Sequence, residues 1–176
     1  MTSFVRSVGH GTATESAFGS LVQAAGVSTV IDVRRFAGSR RSPHFAHDEM
    51  ARWLPQAGIA YRWVPALGGR RKAAPDSPNL GLHNPQFRAY ADHMSTSEFS
   101  SAVSQLLEVA ATSSVAVMCA ESVWWRCHRR LLADHLVLVE GMLVEHLFHD
   151  GRLVEHPVTR AARFDRGHVT YDALAG

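Results

Sequence analysis

Short apolar runs alternate with amphipathic stretches along most of the chain. Four runs are continuously apolar or rich in β-branched residues, as is typical of buried strands, and they cover residues 4–10, 28–34, 59–65 and 114–121. Five other segments repeat apolar side chains at helical spacing: residues 12–26, 48–58, 86–94, 96–111 and 126–141. This alternation predicts an α/β fold in which helices flank a mainly parallel sheet, a Rossmann-like three-layer arrangement.

The C-terminal part of the sequence departs from this alternation. Asp150 and Gly151 form a hairpin signal between the two apolar halves of residues 142–156, which predicts an antiparallel edge of the sheet. From Pro157 onward no hydrophobic period is visible. We therefore expect a single α/β domain over residues 1–156 and a loosely packed tail over residues 157–176.

Neither a membrane span nor a secretory leader is visible. No stretch approaches the roughly 20 continuous apolar residues that a membrane helix needs. The start, MTSFVRSVGHG, lacks the charged and then apolar order of a secretory signal. Two cysteines do not make a disulfide framework in a chain of 176 residues. We expect a cytoplasmic protein with free thiols and no membrane partner, whose oligomeric state the sequence does not indicate.

The positive charge is clustered, although the formal net charge is only +2. Between Arg34 and Lys72 the only acidic residues are Asp48 and Glu49. Seven cations fall in two short segments of that interval: Arg34, Arg35, Arg40, Arg41, Arg70, Arg71 and Lys72. Such a local positive field favours an anionic partner. Guanidinium groups form paired hydrogen bonds with phosphate, so the partner could be a nucleotide or a nucleic acid.

Polar, glycine-rich and cationic residues follow each predicted strand. In open parallel sheets, ligands bind where the carboxyl ends of the strands release their loops. The residues at these four exits are Gly9, His10, Gly11, Thr12, Arg34, Arg35, Leu67, Gly68, Gly69, Arg70, Arg71, Cys119, Ala120 and Glu121. We therefore expect them to meet at one edge of the sheet.

Both cysteines lie in one strand-to-helix segment. Cys119 would end a buried strand, and Cys127 would occupy the first turn of the next helix, whose free amides favour anions and can lower a thiol pKa. The same loop, with Arg129, could instead hold a phosphate, and a buried cysteine is often only a small core residue. The cysteine spacing does not match structural zinc sites, so no metal is predicted.

A glycine pattern after the first strand partly matches a dinucleotide fingerprint. Gly9 and Gly11 have the required spacing, and Asp32 follows at a suitable distance, but Thr14 occupies the position of the third glycine. We therefore assign no cofactor.

Four blocks together resemble a known family. SVGHGT, VIDVRRFAGSRRSPHF, ALGGRRK and VAVMCAESVWWRCHRRLLADHL are similar, in order and spacing, to the blocks of the domain-of-unknown-function family numbered 488. The resemblance implies an α/β fold but no reaction. The positions it marks are Gly9, His10, Asp32, Arg34, Arg41, Gly68, Gly69, Cys119, Glu121, Cys127, His128 and Arg129.

Three functional hypotheses follow, and the sequence alone does not decide whether the protein is an enzyme. The first is an anionic ligand held by Gly9, Asp32, Arg34, Arg41, Gly68, Gly69, Arg70, Arg71, Cys127, His128 and Arg129. The second adds chemistry, with Cys119 as the nucleophile and Glu121 or His10 as the acid or base. The third is a non-catalytic interaction module in which the long loop 66–85 docks a partner.

Overall fold

The computed structural model describes residues 3–172 as one alternating series of strands and helices. The strands are β1 (Phe4–Gly9), β2 (Thr29–Asp32), β3 (Ala60–Trp63), β4 (Val115–Cys119), β5 (Leu143–Leu147), β6 (Leu153–Glu155), β7 (Ala162–Asp165) and β8 (His168–Tyr171). The helices are α1 (Glu15–Ala24), α2 (His47–Gln56), α3 (Pro85–His93), α4 (Ser97–Ala110) and α5 (Arg129–Leu138). Short 3₁₀ turns cover Pro43–Phe45, Pro65–Leu67 and Trp124–Arg126.

Six strands form one sheet in the order β3-β2-β4-β1-β5-β6. Strands β1 to β5 run parallel to one another, and β6 pairs antiparallel with β5. The predicted parallel sheet and its antiparallel edge are therefore confirmed. Gly9 at the end of β1 lies opposite Cys119 at the end of β4, and Asp32 in β2 lies opposite Met118. The loops that leave these strands consequently emerge at one edge.

Helices cover both faces of the sheet, because side chains along the buried strands point alternately to the two sides. On β4, Val115, Val117 and Cys119 join the core beneath α3, α4 and α5. Ala116 and Met118 join the core beneath α1 and α2. This is the expected three-layer α/β architecture, and it directs Cys119 toward the face that carries α5.

The predicted loose tail covers residues 157–176; its residues 157–172 pack against the domain, in contrast to the expectation, and its residues 173–176 lie outside the described residues. Strands β7 and β8 form a two-stranded antiparallel sheet, and Tyr171 is fully buried. The Tyr171 hydroxyl donates to the buried Asp134 carboxylate of α5 at 2.8 Å, and the Thr159 amide donates to the same group at 2.8 Å. The stabilising partner is a single carboxylate distant in the chain, which a search for periodicity does not detect.

The long loop between β3 and α3 is also anchored to the body of the protein. The Asp92 carboxylate of α3 accepts hydrogen bonds from the Ala74 amide at 2.9 Å, the Ser77 hydroxyl at 2.6 Å and the Asn79 side-chain amide at 2.7 Å. These contacts hold the loop against α3 and so position the residues that it presents to the edge of the sheet.

Within residues 3–172 the structure contains no helix that is long and apolar enough to cross a membrane.

Candidate functional site

A cavity of about 270 Å³ opens at the carboxyl ends of the parallel strands. Its position is the one expected for a ligand site in an open α/β sheet. The residues that line it come from the loops after β2, β3 and β4 and from the start of α3: Arg34, Arg35, Phe36, Gly69, Arg70, Gln86, Phe87, Cys119, Ala120, Glu121, Arg126, Cys127 and His128.

The two cysteines lie side by side at this cavity. Both are free thiols, and their Sγ atoms are 2.8 Å apart. Cys119 is fixed at the end of β4, whereas Cys127 lies in the turn just before α5, which begins at Arg129. Only 3% of Cys119 and 5% of Cys127 is exposed, so a reagent must enter the cavity to reach either sulfur.

Arg129 lies directly beneath the thiol pair and is 1% exposed. Its Nε donates to Cys119 Sγ at 3.0 Å, its Nη1 donates to the Ser7 hydroxyl at 2.8 Å, and its Nη2 donates to the Glu121 carbonyl. Among the described residues no carboxylate forms an ion pair with this guanidinium. Its positive charge therefore faces the sulfur atoms.

This environment separates the pKa values of the two thiols. Burial alone would raise the pKa of Cys127, but a hydrogen bond from the Cys119 thiol and the charge and N–H groups of Arg129 lower it to about 6. Burial, reinforced by the neighbouring Cys127, raises the pKa of Cys119 well above its ordinary value. These opposite directions favour a pair that shares one proton and one negative charge at neutral pH.

His128 completes the sulfur site. Its Nε2 lies 3.2 Å from the carbonyl oxygen of Val33 and donates to it, because a carbonyl can only accept. In that tautomer Nδ1 is unprotonated, and it lies 3.6 Å from Cys127 Sγ. Burial lowers the pKa of His128, so the ring rests in its neutral form and can hold the Cys127 proton only transiently as the thiol ionises.

The exposed mouth of the cavity carries arginines from three different loops. Arg35, Arg70 and Arg126 are all exposed and all line the cavity. Arg35 Nη1 donates to the carbonyl of Arg70 at 2.7 Å, which links the loop after β2 to the loop after β3. Glu121 is the one acidic residue among those that line the cavity, so positive charge prevails there.

The predicted ligand residues Asp32 and Arg34 bind each other. Arg34 donates to both Asp32 carboxylate oxygens, from Nε at 2.8 Å and from Nη2 at 2.6 Å, and the Tyr61 hydroxyl donates to Asp32 at 2.6 Å. Asp32 is fully buried. Because its acceptor sites are occupied by neighbouring side chains, Asp32 holds Arg34 in place at the cavity wall.

His10, predicted as a candidate acid or base, is held as a neutral ring outside the cavity lining. Its Nδ1 donates to the Gly11 carbonyl at 2.9 Å, and its Nε2 accepts from Arg34 at 3.3 Å. It stacks on Phe45 with ring centroids 4.1 Å apart. Burial lowers the pKa of His10 to about 4. Both ring nitrogens are occupied, so the geometry gives His10 a structural role.

Two other predicted arginines do not line the cavity. Arg71 donates to the carbonyls of Gly68, Pro65 and Ala66 at 3.0 to 3.3 Å, and thereby braces the loop after β3. Arg41 is exposed and does not belong to the lining. The sequence predicts that both arginines lie near the sheet edge, but it does not predict the direction of either side chain.

Two of the three predicted ligand-binding glycines serve close backbone packing. A Cβ on Gly9 would lie 1.9 Å from the carbonyl oxygen of Glu121, and a Cβ on Gly68 would lie 2.2 Å from the amide nitrogen of Arg35. Gly69 does line the cavity, where a Cβ would lie 3.1 Å from Nδ1 of His128. These glycines let neighbouring loops approach, which brings the sulfur and guanidinium groups together.

The Glu121 side chain and the tryptophan pair surround the turn between the cysteines. Glu121 Oε1 accepts from the Val123 amide at 3.0 Å, and the residue is exposed and lines the cavity. Trp124 stacks on the buried His146 with ring centroids 4.1 Å apart, and Trp125 is 46% exposed. Trp124 therefore has a packing role.

Phe36, Gln86 and Phe87 line the cavity although the sequence did not place them at the sheet edge, and Arg35 and Arg126 line it without having been predicted as ligand-binding residues. Arg35 and Arg126 were visible as members of charged segments, and their positions beside Arg34 and Cys127 were the available signal. Gln86 and Phe87 come from the first turn of α3, which the long anchored loop brings to the cavity. No local pattern indicates that approach.

Arg70 adopts a left-handed backbone conformation, with φ of +58°. This conformation costs a non-glycine residue about 1 kcal/mol, which glycine avoids. We expect Arg70→Gly to be about 1 kcal/mol more stable than Arg70→Ala, since both remove the same guanidinium but only glycine relieves the backbone. Chemical denaturation of the two variants measures this difference, and equal stabilities would contradict it.

Across residues 3–172, no group of three or more His, Cys, Asp or Glu side chains is placed to hold a metal ion. The arrangement is that of an α/β protein with a thiol pair in a cationic cavity at the strand ends.

Comparison with known families agrees with the resemblance seen in the sequence. Residues 14–136 match the family described as domain of unknown function DUF488, and the chain belongs to that family. No curated protein and no solved structure matches the chain. The matched span contains Cys119, Cys127, His128 and Arg129, together with the arginines of the cavity mouth.

Proposed function

We propose that this protein binds an anionic substrate in the cavity and acts on it with a cysteine thiolate. The proposal combines two of the hypotheses drawn from the sequence, an arginine-lined anion site and a thiol-dependent enzyme. It assigns the nucleophilic role to Cys127 rather than to Cys119, because a hydrogen bond from the Cys119 thiol and the charge of Arg129 lower the pKa of Cys127, although the Nε–H of Arg129 itself donates to Cys119.

The observation that carries the proposal is the buried Arg129 beneath the thiol pair. A buried cation without a counter-charge costs several kcal/mol. Arg129 donates hydrogen bonds to a thiol sulfur, a hydroxyl and a backbone carbonyl. Of these groups, only the thiol, together with the neighbouring thiol of the pair, can become an anion at neutral pH. Such a thiolate is the form of cysteine that attacks electrophiles.

His128 supports a role in proton transfer. Nucleophilic cysteines are commonly accompanied by a base within hydrogen-bond reach, and that base is held in its tautomer by a third group. Here Nδ1 of His128 faces Cys127 at 3.6 Å, and the Val33 carbonyl fixes the opposite nitrogen. Through Nδ1 the ring can relay the Cys127 proton as the thiol ionises, and because burial lowers the pKa of His128 it then returns to its neutral form.

The arginines at the mouth support selection of an anion. Three exposed arginines attract an anionic ligand toward the cavity, because exposed charges of one sign raise the local concentration of ions of the opposite sign. They are Arg35, Arg70 and Arg126. Phe36 also lines the cavity and is 61% exposed, with the Arg35 guanidinium 5.3 Å from its ring centroid. An anion that carries a flat ring, such as a nucleotide, would suit this pair.

The test compares alkylation by iodoacetate, which is anionic, with alkylation by iodoacetamide, which is neutral. Relative to free cysteine under the same conditions, we expect Cys127 to prefer iodoacetate by about tenfold at low salt. Mass spectrometry of digested protein identifies the labelled cysteine. Added salt should reduce the preference, because it screens the exposed guanidinium charges.

The matched control is a triple variant, Arg35→Ala with Arg70→Ala and Arg126→Ala. It should lose the preference for iodoacetate and keep the iodoacetamide rate, since Arg129 and His128 remain in place. Arg41→Ala, which removes an exposed arginine outside the lining, should change neither rate. Labelling of neither cysteine in the folded protein would overturn the proposal. It would favour an interaction module in which Cys119→Ser affects stability alone.

A further inference from the structure

Both cysteines of the chain lie at the same cavity, and a nucleophile alone requires only one of them. Their sulfur atoms are 2.8 Å apart, whereas a disulfide joins sulfurs at about 2.05 Å. A movement of less than about 1 Å would therefore bring the two atoms to bonding distance. Cys119 is fixed on the sheet, while Cys127 lies in a turn that does not belong to any helix or strand.

The two thiols also differ in the way that stepwise exchange requires. The lowered pKa of Cys127 favours the thiolate that attacks, and the raised pKa of Cys119 favours a protonated thiol, whose sulfur lies 2.8 Å from the first. In thiol–disulfide exchange the first thiolate forms a mixed disulfide with the substrate, and a second thiol nearby resolves it. Cys127 has the properties of the attacking group, and Cys119 has the position of the resolving group.

We propose that the pair cycles between dithiol and disulfide by exchange with a small disulfide that carries carboxylate groups, and that the corresponding small thiol is the reductant in the return step. This inference rests on the proposed function, because it uses the same thiolate and the same cationic mouth. It adds the reaction class and the substrate class, neither of which follows from anion binding alone.

The oxidative half of the exchange is balanced without any further reagent, and the return half is its reverse, with two molecules of the thiol RSH as the reductant. The Cys127 thiolate attacks one sulfur of the substrate R–S–S–R, the substrate bond breaks, and one thiolate RS⁻ leaves. The Cys119 sulfur then attacks the Cys127 sulfur of the mixed disulfide, and the second RS⁻ leaves. The Cys119 proton goes to one of the two departing thiolates, and two electrons pass from the protein to the substrate.

The size and burial of the site favour a small disulfide over one in a folded protein. The sulfurs are almost wholly enclosed, and the cavity of about 270 Å³ accommodates a small molecule rather than a protein loop. The charge of the mouth favours carboxylates, since three exposed arginines line the cavity and Glu121 is the one acidic residue in the lining.

The experiment treats the reduced, full-length chain with three disulfides of different charge. Glutathione disulfide is anionic, bis(2-hydroxyethyl) disulfide is neutral and cystamine is cationic. Loss of thiols is followed by quenched alkylation and mass spectrometry. We expect an intramolecular Cys119–Cys127 disulfide from each reagent. Relative to a free thiol standard, the anionic reagent should react about tenfold faster than the cationic one.

Two single variants separate the roles of the cysteines. Cys119→Ser should stop at a stable mixed disulfide on Cys127, because the resolving thiol is absent. Cys127→Ser should react more slowly than the wild-type protein by about tenfold or more, because the thiol that remains is protonated. If a serine variant does not fold, as judged by circular dichroism, the wild-type reaction with the three reagents still tests the inference.

Failure of this inference is distinguishable from failure of the proposed function. A wild-type protein that accumulates a mixed disulfide without closing the Cys119–Cys127 bond would overturn the exchange cycle, while a preference for iodoacetate would still support the anion-directed thiolate. A wild-type protein that closes the bond at the same relative rate with all three reagents would overturn the choice of an anionic substrate. No reaction with any of the three reagents would overturn the cycle as well.

Discussion

Arg129→Met is expected to lower the free energy of unfolding by about 3 kcal/mol or more. The substitution leaves the Ser7 hydroxyl and the Glu121 carbonyl without their donor, and it removes the cation that the sulfur pair faces. The pKa of Cys127 should rise toward its ordinary value, so alkylation by iodoacetamide at neutral pH should slow by about tenfold or more. Denaturant unfolding and alkylation kinetics measure the two effects.

The neighbouring Arg130 offers a matched control for this substitution. Arg130 is only partly buried, and its Nε donates to the Thr159 hydroxyl at 2.9 Å. Arg130→Met should leave the pKa of Cys127 unchanged. Arg129→Lys should keep part of the effect on the thiol, because the charge remains while the forked hydrogen bonds are lost. A stable Arg129→Met protein with an unchanged pKa of Cys127 would contradict the account.

Gly9→Ala should destabilise the protein by about 3 kcal/mol, because the new methyl group has no space. It would lie 1.9 Å from the Glu121 carbonyl oxygen and 2.6 Å from Cα of Ser122. Both are backbone atoms, so the turn after β4 must move, and with it the Glu121 carbonyl that accepts from Arg129. Denaturant unfolding measures the loss.

Gly38→Ala is the control for this prediction. A Cβ at Gly38 meets no atom within 4 Å, so the expected change in stability is small. If Gly9→Ala and Gly38→Ala have the same stability, the close approach of the turn after β4 to β1 is not a constraint on the fold.

The sheet was predictable because strand and helix periodicity are local properties of the sequence. Apolar runs such as VIDV and VAVMC identify buried parallel strands, and the rule that parallel strands release their loops at one edge then locates the site. The juxtaposition of Cys119 with the exit of β1 follows from that rule, and the pairing of Gly9 with Cys119 confirms it.

The roles of the individual site residues were not predictable in the same way. Asp32 binds Arg34 and not a ligand, and Arg129 lies beneath the cavity and not at its mouth. Which of the two cysteines ionises depends on hydrogen bonds from a side chain and an amide that the fold places within a few ångströms. Such contacts involve side-chain direction, which neither spacing nor composition contains.

The packing of two longer segments was not predicted from the sequence, for the same reason. The loop 66–85 is fixed by Asp92, and the segment after residue 156 is fixed by Asp134 and by the burial of Tyr171. In each case one buried or partly buried carboxylate organises several donors. Isolated acidic residues on helices are common in sequences, so neither one could be distinguished in advance.

The central claim is that the Cys119–Cys127 pair carries one negative charge at neutral pH. The most direct measurement is a pH titration of the thiolate absorbance in the ultraviolet, with the fully alkylated protein as the baseline. The account predicts one thiolate per chain that ionises with a midpoint near pH 6, and loss of this step in Cys127→Ser. Two thiols that both ionise only above about pH 8, as free cysteine does, would contradict it.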